Sequence, residues 1–232
     1  MPANRFFYEH EITSNTPIVL KDQEHHHLSH VMRMAVGEEV ELVNGKGVLA
    51  EAKVEKIEKR ETHLQITHLH KEAPSLHPII LAIPYMRPSK LEWIIEKGTE
   101  IGADSFWIYP AKFSEKTDLS PNSQERLYTL AISALKQSGR LFLPSFEWKK
   151  SFQDIFSFQG TIFFGDVKPD APMLSQFDLK SSTLFISGPE RGFHEEELRN
   201  LKQKAQSTKL TPFILRAETA PIVAISILRG QN

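Results

Sequence analysis

The sequence predicts an α/β protein whose mostly parallel sheet is preceded by a small β domain. Two patterns support this division of the chain. In residues 1–72, apolar and polar residues alternate in short runs, as in strands with one buried face. In residues 79–232, continuous apolar runs alternate with stretches of helical periodicity, as in a parallel sheet covered by helices. The proline-containing segment 73–78 is the predicted linker.

The clearest signal in the first domain is a β-hairpin. Residues 38–57 alternate on both sides of the glycine-rich turn Asn44-Gly45-Lys46-Gly47. Residues 62–69 alternate again, and the apolar runs FFY at 6–8 and IVL at 18–20 suggest further strands. A domain of about 70 residues built this way is a small β barrel or sandwich, near the lower size limit for independent stability.

The second domain alternates strands and helices. Strands are predicted at 79–84, 106–110, 161–165, 183–187 and 213–215. Helices are predicted at 90–103 with Gly102 as its stop, from Pro121 to before Gly139 with Ser120 as its cap, at 195–205 and at 221–228. From these patterns alone, we expect an unknotted, doubly wound sheet.

The composition excludes several kinds of site and partner. The chain has no cysteine, which excludes disulfides, thiolate catalysis and cysteine-based zinc sites. Its net charge is −1, divided into −3 for residues 1–75 and +2 for residues 76–232, so it lacks the overall basic charge of a protein that coats nucleic acid. Charges interrupt the first residues before an apolar stretch forms, which argues against a signal peptide and favours a cytoplasmic location.

Two C-terminal segments are the candidate ligand site. ISGPERGF at 186–193 follows a predicted buried strand, and ligands of open α/β sheets bind beyond the carboxyl ends of strands. Gly188 and Gly192 carry no side chains, so a ligand can approach the backbone there. A plain tight turn is the alternative interpretation. The segment is neither a dinucleotide-binding fingerprint nor a phosphate-binding loop, so a nucleoside triphosphate is not expected.

The second segment is LTPFILRAETA at 210–220, in which Arg216, Glu218 and Thr219 lie in the turn between the predicted strand 213–215 and an apolar helix. Thr219 or Glu218 can cap that helix, and capping alone would explain Thr219. Capping does not explain Arg216, because an arginine between two apolar elements needs a partner. Glu218, Glu190 or an anionic ligand are the candidates.

Two stretches suggest contacts with nucleic acid. In EHHHLSH at 24–30, His26 and His30 can share a helical face, but no acidic residue completes a familiar metal-ligand spacing. We therefore predict no metal site and prefer contact with RNA phosphates, together with Arg33. In LKQSGRLFLP at 135–144, Lys136 and Arg140 lie close in sequence to an aromatic residue, which suits nucleic acid. A solvated helix end remains the alternative for this stretch.

Taken in order, these segments resemble the RsmE family of bacterial 16S ribosomal RNA methyltransferases, in the SPOUT superfamily, along the full chain. The matching stretches are NRFFY, HHLSHVMRMAVG at 26–37, the segment 90–117 with Lys90, Glu92, Lys97, Glu100 and Gly102, then SGRLFLP, GPERGF and LTPFILRAETA. Each motif is weak alone, but their order and spacing are specific. The chain departs from the family pattern at Arg191 and Thr211, where the family has glycine, and at Phe213, where it has arginine.

The resemblance implies an N-terminal PUA-like β-barrel domain that helps to bind RNA. It also implies a C-terminal SPOUT-type methyltransferase domain with a deep trefoil knot, instead of the unknotted sheet that the pattern alone suggests. The cofactor would be S-adenosyl-L-methionine, and the reaction would be methylation of uridine N3 in 16S rRNA of the small ribosomal subunit. The enzyme would be a homodimer in which the partner chain completes each active site.

The same resemblance suggests roles for individual residues. The expected catalytic residues are Arg216, which would stabilise the uracil anion, and Glu190 and Glu218, either of which would orient it. The expected cofactor-binding residues are Phe164, Ile186, Gly188, Pro189, Glu190, Gly192, Leu210, Ile214, Leu215, Arg216 and Thr219. The expected RNA-binding residues are Arg5, His26, His30, Arg33, Lys90 and Arg140.

Two other functions remain open from the sequence. One is a non-catalytic RNA-binding or ribosome-assembly protein, in which Arg191, Thr211 and Phe213 would be signs of lost activity. The other is a SPOUT methyltransferase that acts on transfer RNA, which the ribosomal pattern at 26–37 disfavours.

Overall fold

The strands of the computed structural model form two sheets, one in each of two units. The structure describes residues 4–14, 17–168, 170–178 and 181–231. One unit comprises residues 1–74 and 132–143, and the other comprises residues 75–131 and 144–232. The predicted domain boundaries remain a prediction, and the sequence did not predict the grouping of 132–143 with the first unit.

The first unit contains a five-stranded sheet. Its strands are β1 (Arg5–Phe7), β2 (Ile18–Lys21), β3 (Glu39–Val43), β4 (Val48–Ile57) and β5 (Glu61–Lys71), in the order β1-β3-β4-β5-β2. β1 pairs parallel with β3, and the other neighbours are antiparallel. All five strands contribute side chains to one core, including Phe6 and Ile18 from the two edge strands. The sheet therefore curves around a shared core, as a small half-buried sheet requires.

The predicted hairpin turn is confirmed between β3 and β4. The side-chain oxygen of Asn44 accepts hydrogen bonds from the backbone N–H groups of Lys46 (2.8 Å) and Val48 (3.2 Å). Gly45 and Gly47 have φ angles of 70° and 86°, a region that favours glycine. The turn could be predicted from the sequence because its hydrogen bonds join residues that are close together in the chain.

The histidine-rich segment is helical, as its polar helix-like pattern suggested. Helix α1 (Asp22–His26) continues into a π-helical turn, His27–Val31. His25 is buried, and its Nδ1 lies 2.8 Å from the hydroxyl oxygen of Thr62 on β5. Residues 132–143 pack in the same unit, where the ammonium group of Lys136 lies 2.6 Å from a carboxylate oxygen of Glu24.

The second unit contains a fully parallel six-stranded sheet. Its strands are β6 (Ile79–Pro84), β7 (Ser105–Tyr109), β8 (Ser145–Trp148), β9 (Thr161–Gly165), β10 (Thr183–Ile186) and β11 (Gln206–Thr208), in the order β11-β9-β10-β6-β7-β8. The predicted strands at 79–84, 106–110, 161–165 and 183–187 are confirmed. The sequence did not predict β8 or β11.

The predicted helices are confirmed with shifts of one or two residues at their ends. They are α2 (Pro88–Ile101), α3 (Pro121–Ser138), α4 (Glu195–Lys204) and α5 (Thr219–Arg229), with short 3₁₀ turns at Phe152–Ser157 and Leu174–Gln176. Leu91, Ile94 and Ile95 of α2 are fully buried, as their helical spacing required. Gly102 ends α2 with a φ of 120°.

The predicted strand at 213–215 is wrong. Phe213 and Ile214 are 81% and 83% exposed in a loop, and the final strand is instead the mostly polar segment Gln206–Thr208, which pairs with β9. Apolar composition suggested a buried strand, but these two side chains lie at a loop tip.

The predicted fold class, a parallel α/β domain preceded by a small β domain, is confirmed. The trefoil knot remains a prediction. In the described part of the chain, no helix is both long and apolar enough to cross a membrane.

Candidate functional site

The two C-terminal segments lie at the same edge of the parallel sheet. Because all six strands run in one direction, their carboxyl ends meet at this edge. Segment 186–193 begins at the end of β10, and segment 210–220 begins two residues after β11. The prediction for the first segment is therefore correct, whereas the second segment follows β11 and not the predicted strand at 213–215.

The base of segment 186–193 is fixed by hydrogen bonds to neighbouring strands. The backbone N–H of Ser187 donates to the carbonyl oxygen of Ala82 on β6 (3.0 Å), and the hydroxyl of Tyr109 donates to the carbonyl oxygen of Ser187 (2.7 Å). Tyr109 is fully buried, and burial raises the pKa of its hydroxyl well above the usual value. The loop therefore starts from a base that hydrogen bonds hold to the neighbouring strands.

Arg191 fits the tight turn at the loop's tip. The turn closes through a hydrogen bond from the N–H of Gly192 to the carbonyl oxygen of Pro189 (2.8 Å), and Gly192 has a φ of 78°. Arg191 itself has no positive φ, and its guanidinium lies 4.8 Å from the centre of the Phe113 ring. The arginine at this position is therefore accommodated without backbone strain, and its side chain rests on an aromatic ring.

Thr211 closes a tight turn in the second segment, segment 210–220. Its hydroxyl accepts a hydrogen bond from the N–H of Phe213 (3.1 Å) and donates one to the carbonyl oxygen of Phe213 (2.9 Å). This local pair of bonds closes a short turn and holds Phe213 and Ile214 at an exposed tip. Both departures from the family pattern in this segment therefore act together in one turn.

Lys90 joins the two segments to α2. Its ammonium group hydrogen-bonds a carboxylate oxygen of Glu190 in the first segment. The same group lies 3.0 Å from Oε2 of Glu218 in the second segment. The side chains of Lys90, Glu190 and Glu218 are 28%, 35% and 16% exposed. We call this arrangement the Lys90 clasp, because one cation from the start of α2 connects both ligand segments.

The electrostatics of the clasp favour its charged form. Hydrogen bonds with Glu190 and then Glu218 raise the pKa of Lys90. Burial acts to raise the pKa of Glu218, but the backbone N–H of Glu218 itself and the charge of Lys90 outweigh burial, so this pKa is lowered. Oε2 of Glu218 is buried and lies against the Lys90 ammonium group, so this carboxylate serves mainly to hold Lys90.

Arg216 forms no ion pair with the clasp, but its charge acts on Glu218. The sequence led us to expect that Glu190 or Glu218 would orient it, but both carboxylates contact Lys90 instead. The Arg216 side chain is exposed and forms no ion pair with any residue that the structure describes. Neither carboxylate lies within ion-pair distance of Arg216, but the charge of Arg216 helps to lower the pKa of Glu218, so the orientation of Arg216 by Glu218 remains a prediction.

The start of α5 shows that Glu218 is not a simple helix cap. Glu218 occupies the capping position, but its side chain makes no capping hydrogen bond. The backbone N–H groups of Thr219 and Ala220 bond instead to the carbonyl oxygen of Arg216 (3.0 and 3.1 Å). Helix capping therefore does not explain Glu218, because its carboxylate contacts Lys90 instead.

The other predicted cofactor residues differ in exposure. Phe164 and Ile186 are completely buried core residues at the ends of β9 and β10, so only their backbone groups can face a ligand. The remaining residues lie in the two segments beyond the strand ends: Gly188, Pro189, Gly192, Leu210, Ile214, Leu215 and Thr219.

The predicted RNA-binding residues of the first unit fall into two groups. Arg5 is only 7% exposed and pairs with Glu41 at 2.7 Å, so it stabilises the β1–β3 pair and offers little surface to RNA. His26 and His30 are exposed and their rings stack at 5.0 Å, and Arg33 is exposed with a φ of 55°. Arg140 is partly exposed in the loop after α3.

One cluster in the first unit has the composition of a metal site. Glu58, Glu61 and His63 place possible ligand atoms within 4.8 Å of one another. The ammonium groups of Lys56 and Lys21 already pair with the two carboxylates. This charge compensation gives the cluster an ordinary structural explanation as a surface ion-pair network.

Sequence reasoning missed two residues that build the site. Lys90 was expected to contact RNA, but the structure places it in the clasp. Glu197 on α4 is 6% exposed and accepts hydrogen bonds from the N–H groups of Lys112 (2.7 Å) and His194 (2.9 Å). Its only sequence signal is its place three residues after His194, where a capping box puts glutamate.

Comparison with known proteins agrees with this fold. The chain matches a family model of the RNA methyltransferase domain over residues 72–229 and one of the RNA methyltransferase PUA domain over residues 20–67. Ribosomal RNA small subunit methyltransferase E of Bacillus subtilis (strain 168) is 29% identical, with 98% of this chain and 96% of that protein covered. The protein of the same name from Rickettsia conorii is 27% identical, with 99% and 96% covered.

A solved structure extends the comparison to three dimensions. Ribosomal RNA small subunit methyltransferase E from Neisseria gonorrhoeae, bound to S-adenosyl methionine, aligns with a TM-score of 0.87 and 23% identity, covering 98% of this chain and 97% of that one. The fold, the two loops at the sheet edge and the matched models define an RNA methyltransferase with a PUA domain. The chain belongs to the ribosomal RNA small subunit methyltransferase E (RsmE) family.

Proposed function

We propose that this chain transfers a methyl group from S-adenosylmethionine to N3 of a uridine in 16S rRNA of the small ribosomal subunit. The observation that carries the proposal is the convergence of segments 186–193 and 210–220 at one sheet edge, joined by the Lys90 clasp. The sequence similarity to ribosomal RNA small subunit methyltransferase E proteins supports the substrate.

The residues at this edge fit such a cofactor. S-adenosylmethionine bears a sulfonium and an ammonium group, and the carboxylates of Glu190 and Glu218 place negative charge beside the two segments. Backbone groups near Gly188, Leu210 and Leu215 offer uncharged donors and acceptors for the adenine and methionine parts. When bound, the cofactor supplies the methyl group on its sulfonium.

Arg216 is the residue that we assign to activation of the uracil. Uracil N3–H is a weak acid, so a cation near O2 or O4 favours the anion that accepts the methyl group. Lys90 is shared by two carboxylates at contact distance, whereas Arg216 forms no ion pair with the described residues and acts on Glu218 only through its charge. We therefore assign charge stabilisation to Arg216, and positioning of the two segments to Lys90, Glu190 and Glu218.

The proposal also includes how the enzyme meets its substrate. We expect a cytoplasmic homodimer in which the partner chain completes each site. The exposed His26, His30 and Arg33 of the first unit are the expected contacts with RNA. The target uridine must be unpaired or turned out of its helix, because N3 is otherwise occupied by base pairing.

The proposal is tested in cells and with the purified protein. In a strain that lacks the gene, mass spectrometry of 16S rRNA nucleosides should show loss of 3-methyluridine, and the wild-type gene should restore it. The Arg216→Ala variant should restore little, with a loss of transfer rate of about 10²–10³-fold, as for removal of one group that stabilises developing charge. Arg199→Ala, an exposed arginine on α4, is the matched control.

Two outcomes would contradict the proposal. Retention of 3-methyluridine in the deleted strain would refute the assigned base and atom. Failure of the folded protein to bind S-adenosylmethionine in calorimetry would instead indicate a non-catalytic RNA-binding or ribosome-assembly protein.

A further inference from the structure

Arg191 is an exposed cation with an unusual support at the edge of the site. Its guanidinium lies 4.8 Å from the centre of the Phe113 ring, a distance typical of a cation–π contact. It forms no ion pair within the described portion of the chain. An exposed arginine normally loses side-chain freedom when it binds an anion, but stacking on a ring fixes the guanidinium in advance and lowers that cost.

The ring beneath Arg191 belongs to a fixed platform. The ring of His194 meets Phe113 edge-on, with 5.4 Å between the centroids and 71° between the planes. The buried carboxylate of Glu197 holds both supporting segments, since it accepts hydrogen bonds from the N–H groups of Lys112 and His194. The loop after β7 and the start of α4 are thus tied together under the arginine.

Arg191 differs from several basic residues around the two segments. Arg87 pairs with Glu115 at 2.8 Å, and Lys90 is held by its two carboxylates. Such pairs must be broken or shared before these cations can bind an external anion. Arg191 is both unpaired and held in place, so an external anion is the group that its position suits.

The order of the strands indicates on which side of the cofactor segments this anion would bind. The predicted cofactor segments follow β10 and β11, and β9 lies between these two strands. Phe113 follows β7, which lies on the opposite side of β10, beyond β6. Arg191 thus rests on a ring that follows a strand on the side of β10 away from β9 and β11, and on this side we expect the RNA substrate and not the cofactor.

We propose that Arg191, stacked on Phe113, binds a backbone phosphate of the RNA substrate. This inference rests on the proposed function and extends it to a residue at which the chain departs from its family's motif. Arginine at this position, where the family has glycine, then adds a substrate contact at the rim of the site and leaves cofactor binding intact.

The test measures RNA affinity without the cofactor, so that it does not depend on methyl transfer. Binding of 16S rRNA transcribed in vitro is followed over a series of salt concentrations for the wild type, Arg191→Ala and the control Arg199→Ala. For Arg191→Ala we expect a loss of affinity of roughly 5- to 30-fold, the usual effect of one lost charged contact. The slope of log affinity against log salt should fall by about 0.7–0.9, the value for one phosphate.

Two more variants separate charge from stacking. Arg191→Lys keeps the charge but not the planar stack, and Phe113→Leu removes the ring beneath an unchanged arginine. Both should keep the wild-type salt slope and bind RNA with an affinity between those of the wild type and Arg191→Ala. Urea unfolding checks that Phe113→Leu remains folded, and the exposed Arg191 variants carry the test alone if it does not.

The inference is overturned if Arg191→Ala and Arg199→Ala bind RNA equally well with equal salt slopes. It is also overturned if Arg191→Ala weakens S-adenosylmethionine binding in calorimetry while RNA binding is unchanged, because the anion would then belong to the cofactor. Failure of the proposed function is seen separately, as absence of methyl transfer by the wild type.

Discussion

Lys90 and Lys97 are a matched pair of residues on α2. Each ammonium group contacts two carboxylates, but Lys97 pairs with Glu96 and Glu100 of its own helix, whereas Lys90 reaches both ligand segments. Partly exposed ion pairs contribute about 0.2–1 kcal/mol each. We therefore expect Lys90→Met and Lys97→Met to lower the free energy of unfolding by similar small amounts.

The two variants should differ in cofactor binding. Lys90→Met releases two segments of the site, so we expect S-adenosylmethionine to bind about fivefold more weakly, which corresponds to about 1 kcal/mol. Lys97→Met should leave the affinity unchanged, and Lys90→Arg should restore most of it. Calorimetry measures these affinities. Equal affinities for Lys90→Met and Lys97→Met would show that the clasp has no role in positioning the site.

A second prediction at the scale of single residues concerns how the stability contributed by Glu218 depends on pH. Its pKa is lowered in the folded protein, so its carboxylate stabilises the fold at pH values above the ordinary 4.5, and this contribution is lost as the pH falls through the folded-state pKa. The unfolding free energy of the wild type should exceed that of Glu218→Gln by about 0.5–1 kcal/mol at pH 7. The difference should shrink below pH 4.5.

Urea unfolding between pH 7 and pH 3.5 measures this difference. Glu125→Gln, a change to an exposed glutamate on α3, is the control. A difference between the wild type and Glu218→Gln that stays constant over the whole range would contradict the assignment of the stabilisation to the carboxylate charge.

At the scale of elements, the sequence predicted those strands, helices and turns that are determined by residues close together in the chain. The hairpin 38–57, the strand 79–84 and the helix that starts at Pro121 are specified by turn residues, apolar runs and caps within a few positions. β8 and β11 are short edge strands of the sheet, and their half-exposed residues carry a weak pattern. The exposed Phe213 and Ile214 are apolar like the residues of a buried strand, and this led to the wrong prediction at 213–215.

The candidate site was predictable to the level of its segments. GPERGF and LRAETA lie at one sheet edge because consecutive parallel strands have their carboxyl ends together. The clasp was not predictable, because it joins Lys90 to residues 100 and 128 positions further along the chain. Such pairing depends on the tertiary arrangement of α2, β10 and α5, which local sequence patterns do not encode.

Gly47 gives a prediction about the hairpin between β3 and β4. A Cβ atom added there would lie 2.4 Å from the Phe142 ring and 2.6 Å from the carbonyl oxygen of Glu72. Gly37 has a similar φ of 92°, but an added Cβ would meet nothing within 4 Å. Gly37→Ala should therefore cost only the backbone strain, about 1–2 kcal/mol.

Gly47→Ala should cost a further 1–3 kcal/mol or so, because overpacking is added to the same strain. Urea unfolding of the full chain compares the two variants. If Gly47→Ala were no less stable than Gly37→Ala, the close approach of Phe142 and Glu72 to the turn would not constrain this position.

At the scale of the whole molecule, the exposed tip of segment 210–220 bears on assembly. Phe213 and Ile214 expose most of their surface, and Thr211 holds them there by two hydrogen bonds. Adjacent apolar side chains fixed in water are costly unless another surface covers them. In the proposed homodimer, the tip of one protomer would be covered at the site that the partner helps to complete.

Sedimentation equilibrium of the wild type should therefore show a dimer at micromolar concentration. The double variant Phe213→Asp with Ile214→Asp should shift the equilibrium to monomer, because it places two charges where apolar contact is required. Leu76→Asp is the control, since Leu76 is 89% exposed in the region between the predicted domains. A dimer that persists in the double variant would place the interface elsewhere, and a wild type that stays monomeric would contradict the homodimer.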